Sequence, residues 1–444
     1  MSEDTTVSYS GFYEPDGIRG GVLRRAGGNS RDQQVSPVIP ARLVNELKLN
    51  GGELIEVLVN SRELHQRVVL QTLEAFVSID GRELDDHHEF VRWEDLPRAE
   101  SPQRLVFSTE GGPLAMRILD LFAPLGIGQS GLVVSEPRSG KTILLQQIAN
   151  AMSERHNEPV VLQQVDTLTK ALLAQKNEED RIPQAYLEVY GRPVYKKEKV
   201  EAEEFLKEQQ KEGSEEQAWF DLLHRLMAPE VMILLLGEKP EEVTDIKRSI
   251  PGTVVSSSSY QGSRDHLRTA EFTLMRARRL VEAGKNVLVI IDSLTELARA
   301  YNTEVRDPQR IIDVDLSPVA IDRTLDMLNS SVAIEGGGSL TILASVSVGT
   351  GSELDDMIFE AVRSSGGMEV FLSAELASLR IWPAIDIERS AAASAGDLLD
   401  KEELGVADDF RKKLAGGTIE KKLPALHKQM RKYESNGELL KATT

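Results

Sequence analysis

Apolar runs alternate with amphipathic stretches through the middle of this chain. Between about residues 115 and 395, short apolar runs typical of buried strands alternate with segments whose apolar residues recur at helical spacing. The predicted strands are 131–135, 231–237, 287–292, 340–348 and 368–372. Strands separated by helices predict a mostly parallel α/β sheet, so we expect one α/β domain over 115–395.

The pattern differs on both sides of this domain. Residues 1–15 are predicted to form a flexible arm, and 16–110 contain short or alternating apolar stretches separated by glycine turns, as in a small β-barrel. The acidic, proline-bearing segment 93–103 is predicted to be a linker. Residues 396–444 are predicted to form a helical C-terminal segment of short amphipathic helices.

A charged segment at about 163–230 interrupts the α/β pattern. Its residues 196–212 are rich in Glu and Lys at helical spacing. We favour a solvated helical excursion, and the alternative is an element that docks a partner.

The composition argues against a membrane-spanning, secreted or disulfide-bonded protein. The chain has 444 residues, 41% of them hydrophobic and 28% charged, and it lacks both an apolar run long enough to span a membrane and a signal-peptide pattern. The absence of cysteine excludes disulfides and thiolate metal sites. We therefore expect a cytoplasmic protein without a membrane partner. Its net charge of −19 requires any contact with RNA to use a local basic patch.

The strongest chemical signal is a phosphate-binding turn. An apolar strand at 131–135 leads into Ser139, Gly140, Lys141 and Thr142, and an apolar helix follows. Backbone N–H groups and a helix N-terminus at such a turn bind phosphate; Lys141 would reach the β- and γ-phosphates, and Thr142 would hold Mg²⁺. The usual first glycine of the motif is Ser135 here, so an ordinary strand–helix turn is the alternative.

Two carboxylates extend this signal. Asp292 ends a predicted buried strand and would hold the Mg²⁺ shell, unless it merely caps the following helix. Glu238 ends a neighbouring strand and would polarise the attacking water, unless it serves the helix dipole. Trp382, just before Pro383, either stacks on adenine or is a core side chain.

These residues lie in motifs that resemble the bacterial transcription termination factor Rho family. The most specific is Leu-Ala-Arg-Ala-Tyr-Asn-Thr at 297–303. The others are at 118–142, 238–244, 292–296, 335–342, 350–352 and 383–390. The resemblance implies a RecA-like P-loop ATPase core, with a small N-terminal RNA-binding-like barrel, that assembles into a homohexamer. It also implies ATP and Mg²⁺ as cofactors.

Residue by residue, the resemblance assigns Glu238, Lys141 and Asp292 to catalysis, and Thr142 and Asp292 to Mg²⁺. The implied nucleotide-binding residues are Gly126, Ile127, Gly128, Gln129, Ser130, Gly131, Arg138, Ser139, Gly140, Lys141, Thr142, Ile143, Lys239 and Trp382. The implied RNA-contacting pore loops are Arg310, Ile311 and Ile312, and Thr350, Gly351 and Ser352. Arg299 and Arg380 match arginines of the family's core and subunit interface.

The chain also departs from the family pattern. Ala393 stands at the arginine-finger position, Ala374 at another interface arginine, Glu353 at an RNA-gripping lysine and Glu296 at an arginine. In the N-terminal module, the aromatic platform corresponds to 19–24, where both aromatics are replaced, by Gly20 and Val22. Base stacking is a main source of single-strand affinity, so we expect weak RNA binding there.

The resemblance implies an ATP-dependent RNA translocase or helicase that binds nascent RNA and releases it from RNA polymerase. The departures predict RNA binding weaker than is typical of the family. The departures favour an alternative, a Rho-like ring that binds nucleotide as a structural switch with little hydrolysis or translocation. A rotary ATPase catalytic subunit shares the fold, but the motif at 297–303 and the N-terminal module favour Rho.

Overall fold

The chain folds into two compact units. The computed structural model describes residues 6–17, 20–24, 36–60, 68–84, 92–99, 103–155, 159–175, 177–190, 192–211, 213–305, 315–414 and 419–443. Unit 1 comprises the described residues within Met1–Leu96, Gln164–Met227 and Glu271–Gly284, and unit 2 comprises the remainder. The boundary at residues 96 and 97 falls inside the predicted linker.

The strands and helices of the described residues follow in chain order. The strands are β1 Thr6–Pro15, β2 Gly20–Arg24, β3 Val38–Pro40, β4 Leu54–Asn60, β5 Phe76–Ile79, β6 Arg104–Leu105, β7 Leu125–Gly126, β8 Ser130–Ser135, β9 Glu230–Leu236, β10 Thr253–Ser257, β11 Asn286–Asp292, β12 Val332–Ala333, β13 Ser339–Ser347, β14 Met368–Leu372 and β15 Ile385–Ala392. The helices are α1 Ala41–Glu46, α2 Leu114–Phe122, α3 Lys141–Arg155, α4 Pro159–Leu173, α5 Arg181–Tyr190, α6 Lys196–Gln209, α7 Glu215–Met227, α8 Pro240–Ser249, α9 Ser263–Glu282, α10 Leu294–Glu304, α11 Pro318–Leu328, α12 Glu353–Arg363, α13 Ala374–Ser378, α14 Ala395–Leu398, α15 Lys401–Leu414, α16 Ile419–Met430 and α17 Asn436–Thr443.

Unit 1 contains an antiparallel sheet with the strand order β3-β2-β1-β4-β5. The first strand corrects the predicted arm, because residues from Thr6 onward pair with both β2 and β4. Its alternation explains this result: Tyr9 and Tyr13 are buried in the core of the sheet, whereas Ser8 and Ser10 face outward. The predicted small β module therefore begins within the segment that was expected to be loose.

The outer face of this sheet is covered by helices of unit 1. Phe12 of β1 meets Phe272 of α9 edge to face at 5.7 Å between ring centroids. The carboxylate of Glu56 on β4 forms a 3.1 Å ion pair with the ammonium of Lys197 on α6. Register pairs Ser10 with Glu56 and Phe12 with Leu54, so both contacts lie on one face.

The charged insertion belongs to unit 1, where α6 buries Ala202 and Leu206 and leaves its charged side chains at least partly exposed. The ring of Tyr195, at the start of α6, lies between two guanidinium groups, 4.4 Å from Arg82 and 4.3 Å from Arg192. Arg192 also forms a 2.7 Å ion pair with Glu198. Cation–π contacts and a half-buried ion pair fix the insertion to the N-terminal module.

Unit 2 contains the α/β sheet, with the strand order β10-β9-β11-β13-β8-β14-β15. The pairs from β10 to β14 are parallel, and β15 runs antiparallel to β14. Every strand predicted between 115 and 395 is confirmed to within a residue or two. Eight of the nine residues of β13 are buried, as expected for a parallel strand covered on both faces.

The C-terminal helices belong to the core of unit 2. Phe410, Leu423, Met430 and Leu439 join the same hydrophobic cluster as Leu343 of the sheet. The predicted helical segment is confirmed, and its apolar faces are packed against the domain. Among the described residues, no helix combines the length and the apolar character that crossing a membrane requires.

Candidate nucleotide-binding site

The phosphate turn joins the carboxyl end of β8 to the start of α3. Gly140 has φ +94°, a conformation that glycine adopts without strain. The Ser139 hydroxyl donates to the Glu136 carbonyl at 2.7 Å, and the Glu136 carboxylate accepts from the Ala374 N–H at 2.7 Å. The turn is therefore held in shape from both sides, with the N-terminus of α3 at its end.

The turn lines a cleft of about 500 Å³. Its lining residues are Ser135, Glu136, Pro137, Arg138, Gly140, Lys141, Thr142, Ile143, Ser347 and Trp382. Six residues that the sequence assigned to nucleotide binding thus lie around one cavity: Arg138, Gly140, Lys141, Thr142, Ile143 and Trp382.

Lys141 lies between the two predicted carboxylates. Its ammonium forms an ion pair with Asp292 and lies 3.7 Å from Glu238. Asp292 is 2% exposed and also accepts a 2.7 Å hydrogen bond from the Ser345 hydroxyl. Burial alone would lower the pKa of Lys141, but Asp292 and Glu238 outweigh it and raise the pKa above its usual value. The lysine is therefore charged where a phosphate chain would lie.

Sheet topology explains why the carboxylates meet. Asp292 ends β11, and Glu238 follows β9, which pairs with β11 so that Asp292 lies beside Leu235. The carboxyl ends of neighbouring parallel strands share one edge of the sheet, where ligands of such sheets bind.

Glu238 has a strongly altered titration. Burial is the largest cause, followed by a hydrogen bond with Glu242 and the charge of Asp292, and together they raise the pKa of Glu238 to about 7 against the opposing charge of Lys141. A carboxyl group with a pKa near neutrality can exchange a proton with water during a reaction.

Trp382 packs on the phosphate turn. A Cβ added at Gly140 would lie 2.6 Å from the ring atom Cζ3 of Trp382. Only a residue without a side chain allows this close approach. Trp382 is 42% exposed and lines the cleft, which disfavours the alternative that it is a core side chain.

The structure does not bring every predicted residue to the cleft. The segment Gly126, Ile127, Gly128, Gln129, Ser130 and Gly131 lies at the other end of β8, about 20 Å away along six strand residues. There the Gln129 amide oxygen accepts from Gly126 N–H at 3.0 Å, and Gly128 N–H donates to Thr341 at 2.9 Å. These contacts give the segment a structural role at the amino edge of the sheet.

Other predicted residues lie elsewhere on unit 2. Lys239 is exposed before α8 and does not line the cleft. The second predicted pore loop follows β13, and Arg299 fixes it with a 3.0 Å hydrogen bond to Ser352 and a 2.6 Å ion pair to Asp355, which also accepts from Thr350. Arg310, Ile311 and Ile312 lie outside the described residues.

The structure shows the surroundings of several residues that depart from the family pattern. Ala393 lies in the turn after β15, where its N–H donates to the Gly367 carbonyl at 2.7 Å, and Glu353 is exposed at the start of α12. Glu296 packs against Gly237, the residue before Glu238. A Cβ at Gly20 would lie 2.0 Å from the Ile39 carbonyl oxygen, so the backbone leaves no room for a platform aromatic there.

Sequence reasoning missed two residues of the site. Ser345 binds Asp292, and Ser347 lines the cleft. The signal was available, because these serines recur with period two in an otherwise apolar strand and so point to one face of the sheet.

Comparison with known proteins places this geometry in a family. The nucleotide-binding domain of the ATP synthase alpha/beta family matches residues 115–392. Transcription termination factor Rho of Bacillus subtilis is 32% identical over 378 residues, 85% of this chain and 71% of the relative. Rho of Streptomyces coelicolor is 30% identical over 422 residues, covering 95% and 83%. Rho of Micrococcus luteus is 29% identical over 419 residues, covering 94% and 49%. The chain therefore belongs to the transcription termination factor Rho family.

Proposed function

We propose that this protein is a Rho-like ATP-dependent RNA translocase that acts in transcription termination. It would bind ATP with Mg²⁺ and assemble as a homohexamer. It would also bind nascent RNA and release it from the RNA polymerase complex. The observation that carries the proposal is the placement of Lys141 between Asp292 and Glu238 at the phosphate turn. The names of the relatives support a role in transcription termination, and the motif resemblance described above implies RNA and RNA polymerase as partners.

The donor set fits a magnesium ion. Asp292 is a buried carboxylate whose charge is met by the Lys141 ammonium and the Ser345 hydroxyl. With nucleotide bound, Lys141 would turn to the phosphates, and Asp292 and Thr142 would hold Mg²⁺, since hard oxygen donors suit that ion. The ion would neutralise charge on the phosphate oxygens.

Glu238 is the group that would accept a proton from the attacking water. It lies beside Lys141, and its carboxyl is partly buried, so its basicity exceeds that of an ordinary glutamate. Lys141 and the N–H groups of the turn would stabilise the charge that develops on the transferring phosphoryl group.

The pH profile is expected to report Glu238. Deprotonated Glu238 is the active form, so kcat/KM for ATP should rise about tenfold per pH unit below pH 7 and level off above it. Measurement between pH 5.5 and 8.5 checks this. The variant Glu242→Ala removes a group that raises the pKa of Glu238, so its acid limb should move to lower pH. A flat profile, or an unchanged limb in that variant, contradicts the assignment.

A second candidate is a Rho-like ring in which nucleotide binding is a structural switch. Two observations favour it: Gly20 leaves no room for a stacking ring, and unit 1 helices cover part of the outer face of the sheet. The motif resemblance adds a third reason, because it aligns Ala393 with a transition-state arginine worth about 10³–10⁵ in rate.

ATP hydrolysis with and without polycytidine RNA separates the two candidates. We expect weak but measurable stimulation by RNA, because the nucleotide site is present while the stacking platform is lost. The Glu238→Gln variant is the matched control, which should bind ATP without turning it over. The second candidate would be supported, and the first contradicted, if the wild type bound ATP without hydrolysing it and Ala393→Arg restored part of the hydrolysis.

A further inference from the structure

A second cavity adjoins the phosphate cleft. It has a volume of about 460 Å³ and shares the lining residues Gly140, Ile143 and Trp382 with that cleft, so the two cavities are adjacent. Its walls are mostly apolar and include Leu114 on α2. A nucleotide whose phosphates lie on the turn would extend its base into this cavity, where Trp382 offers a flat ring.

Arg431 is the one charged side chain among the described residues that line this cavity. It comes from the turn that follows α16 in the C-terminal helical segment. Its Nη2 donates to the Trp382 carbonyl at 3.0 Å, so the guanidinium is tied to the residue that carries the stacking ring. An arginine has five N–H donors, and this bond uses one of them.

A buried clamp fixes the turn that carries Arg431. Arg117 of α2 is 3% exposed and donates to the carbonyls of Met430 at 2.9 Å, Tyr433 at 2.5 Å and Ser435 at 3.1 Å. The same helix begins with Leu114, which lines the cavity. Buried hydrogen bonds within unit 2 therefore hold Arg431 in position at the cavity.

We propose that Arg431 is a specificity-determining residue that recognises the purine base of the bound nucleotide. The base would stack on Trp382 while the guanidinium donates to N7, an acceptor present in adenine and guanine alike. Guanine adds the O6 acceptor beside N7. The site would therefore accept both purines, whereas the smaller pyrimidine ring would not reach Arg431 from the same phosphate anchor.

This inference rests on the proposed nucleotide site, and its test uses binding instead of turnover. The full-length protein is titrated with ATP, GTP, CTP and inorganic triphosphate in the presence of Mg²⁺, by calorimetry. Wild type is expected to bind GTP at least as tightly as ATP, because of the additional O6 acceptor, and to bind CTP at least about tenfold more weakly than ATP, the change that one hydrogen bond gives. The variant Arg431→Ala should raise the Kd for ATP and GTP about tenfold and leave triphosphate binding unchanged.

Two controls separate the possible causes. Lys432→Ala removes the same charge from the next residue, which is exposed and does not line the cavity, and should leave every Kd unchanged. Arg431→Gln retains an N–H donor and should lose less purine affinity than Arg431→Ala. Thermal melting reports whether each variant is folded.

The outcomes that overturn the inference differ from those that overturn the proposed function. If wild type binds ATP and Arg431→Ala binds it equally well, base recognition by Arg431 is wrong and the nucleotide site stands. If Arg431→Ala weakens triphosphate as much as ATP, the residue acts only through its charge. If folded wild type binds neither ATP nor triphosphate, the proposed function itself fails.

Discussion

Replacing Lys141 with alanine is expected to lower kcat for ATP hydrolysis by about 10²–10³-fold. Lys141 is the only cation that the structure places between Asp292 and Glu238, as far as the described residues of the cleft show. Its loss removes the charge that would meet the β- and γ-phosphates. Steady-state hydrolysis at saturating Mg-ATP measures the effect.

The Lys141→Ala change is also expected to lower the stability of the fold, and the experiment must separate that effect from the loss of rate. Asp292 is 2% exposed and loses its ion-pair partner, and breaking a buried pair costs about 3–5 kcal/mol. Rates are therefore compared at a temperature where circular dichroism shows both proteins folded. Lys170→Ala is the matched control, because Lys170 is an exposed helical lysine that pairs, among the residues the structure describes, with Asp166 on the same helix. Retention of more than a tenth of the wild-type kcat in Lys141→Ala contradicts the assigned role.

Much of unit 2 follows from local sequence rules. Five parallel strands were recognisable because each is a short, continuous apolar run between amphipathic segments. The phosphate turn and the two carboxylates were recognisable because each follows directly after such a run. Their proximity then follows from the geometry of a parallel sheet.

Features that depend on long-range contacts were not accessible in this way. The ion pair of Lys197 with Glu56 joins residues 141 positions apart, so the Glu- and Lys-rich pattern of α6 gave no sign of a fixed partner. The glycine-rich segment 126–131 is close to the phosphate turn in sequence, yet it leads into β8 and forms the first residues of that strand, so it lies at the end of β8 opposite the turn. Arg431 reaches the cavity because of the way the C-terminal helices pack on unit 2. Apolar periodicity predicts these helices but not where they pack.

Replacing Arg117 with methionine is expected to lower the free energy of unfolding by about 3–5 kcal/mol, since it leaves three carbonyls without their charged donor while filling a similar volume. The carbonyls belong to Met430, Tyr433 and Ser435, so the loss falls on the turn between α16 and α17. Urea unfolding monitored by circular dichroism measures the change, and limited proteolysis should cut first within this turn.

Asn436→Ala provides the graded comparison for this prediction. Asn436 accepts from Arg117 at 3.1 Å and donates to the Arg117 carbonyl at 2.9 Å, so its loss should cost only about 1–2 kcal/mol. Because the clamp also fixes Arg431, Arg117→Met should weaken ATP binding under conditions where the protein is still folded, whereas Asn436→Ala should weaken it less. If Arg117→Met is as stable as wild type, the C-terminal helices are held by apolar packing alone. If its ATP affinity is unchanged, the hydrogen bonds of Arg117 do not control the cavity that Arg431 lines.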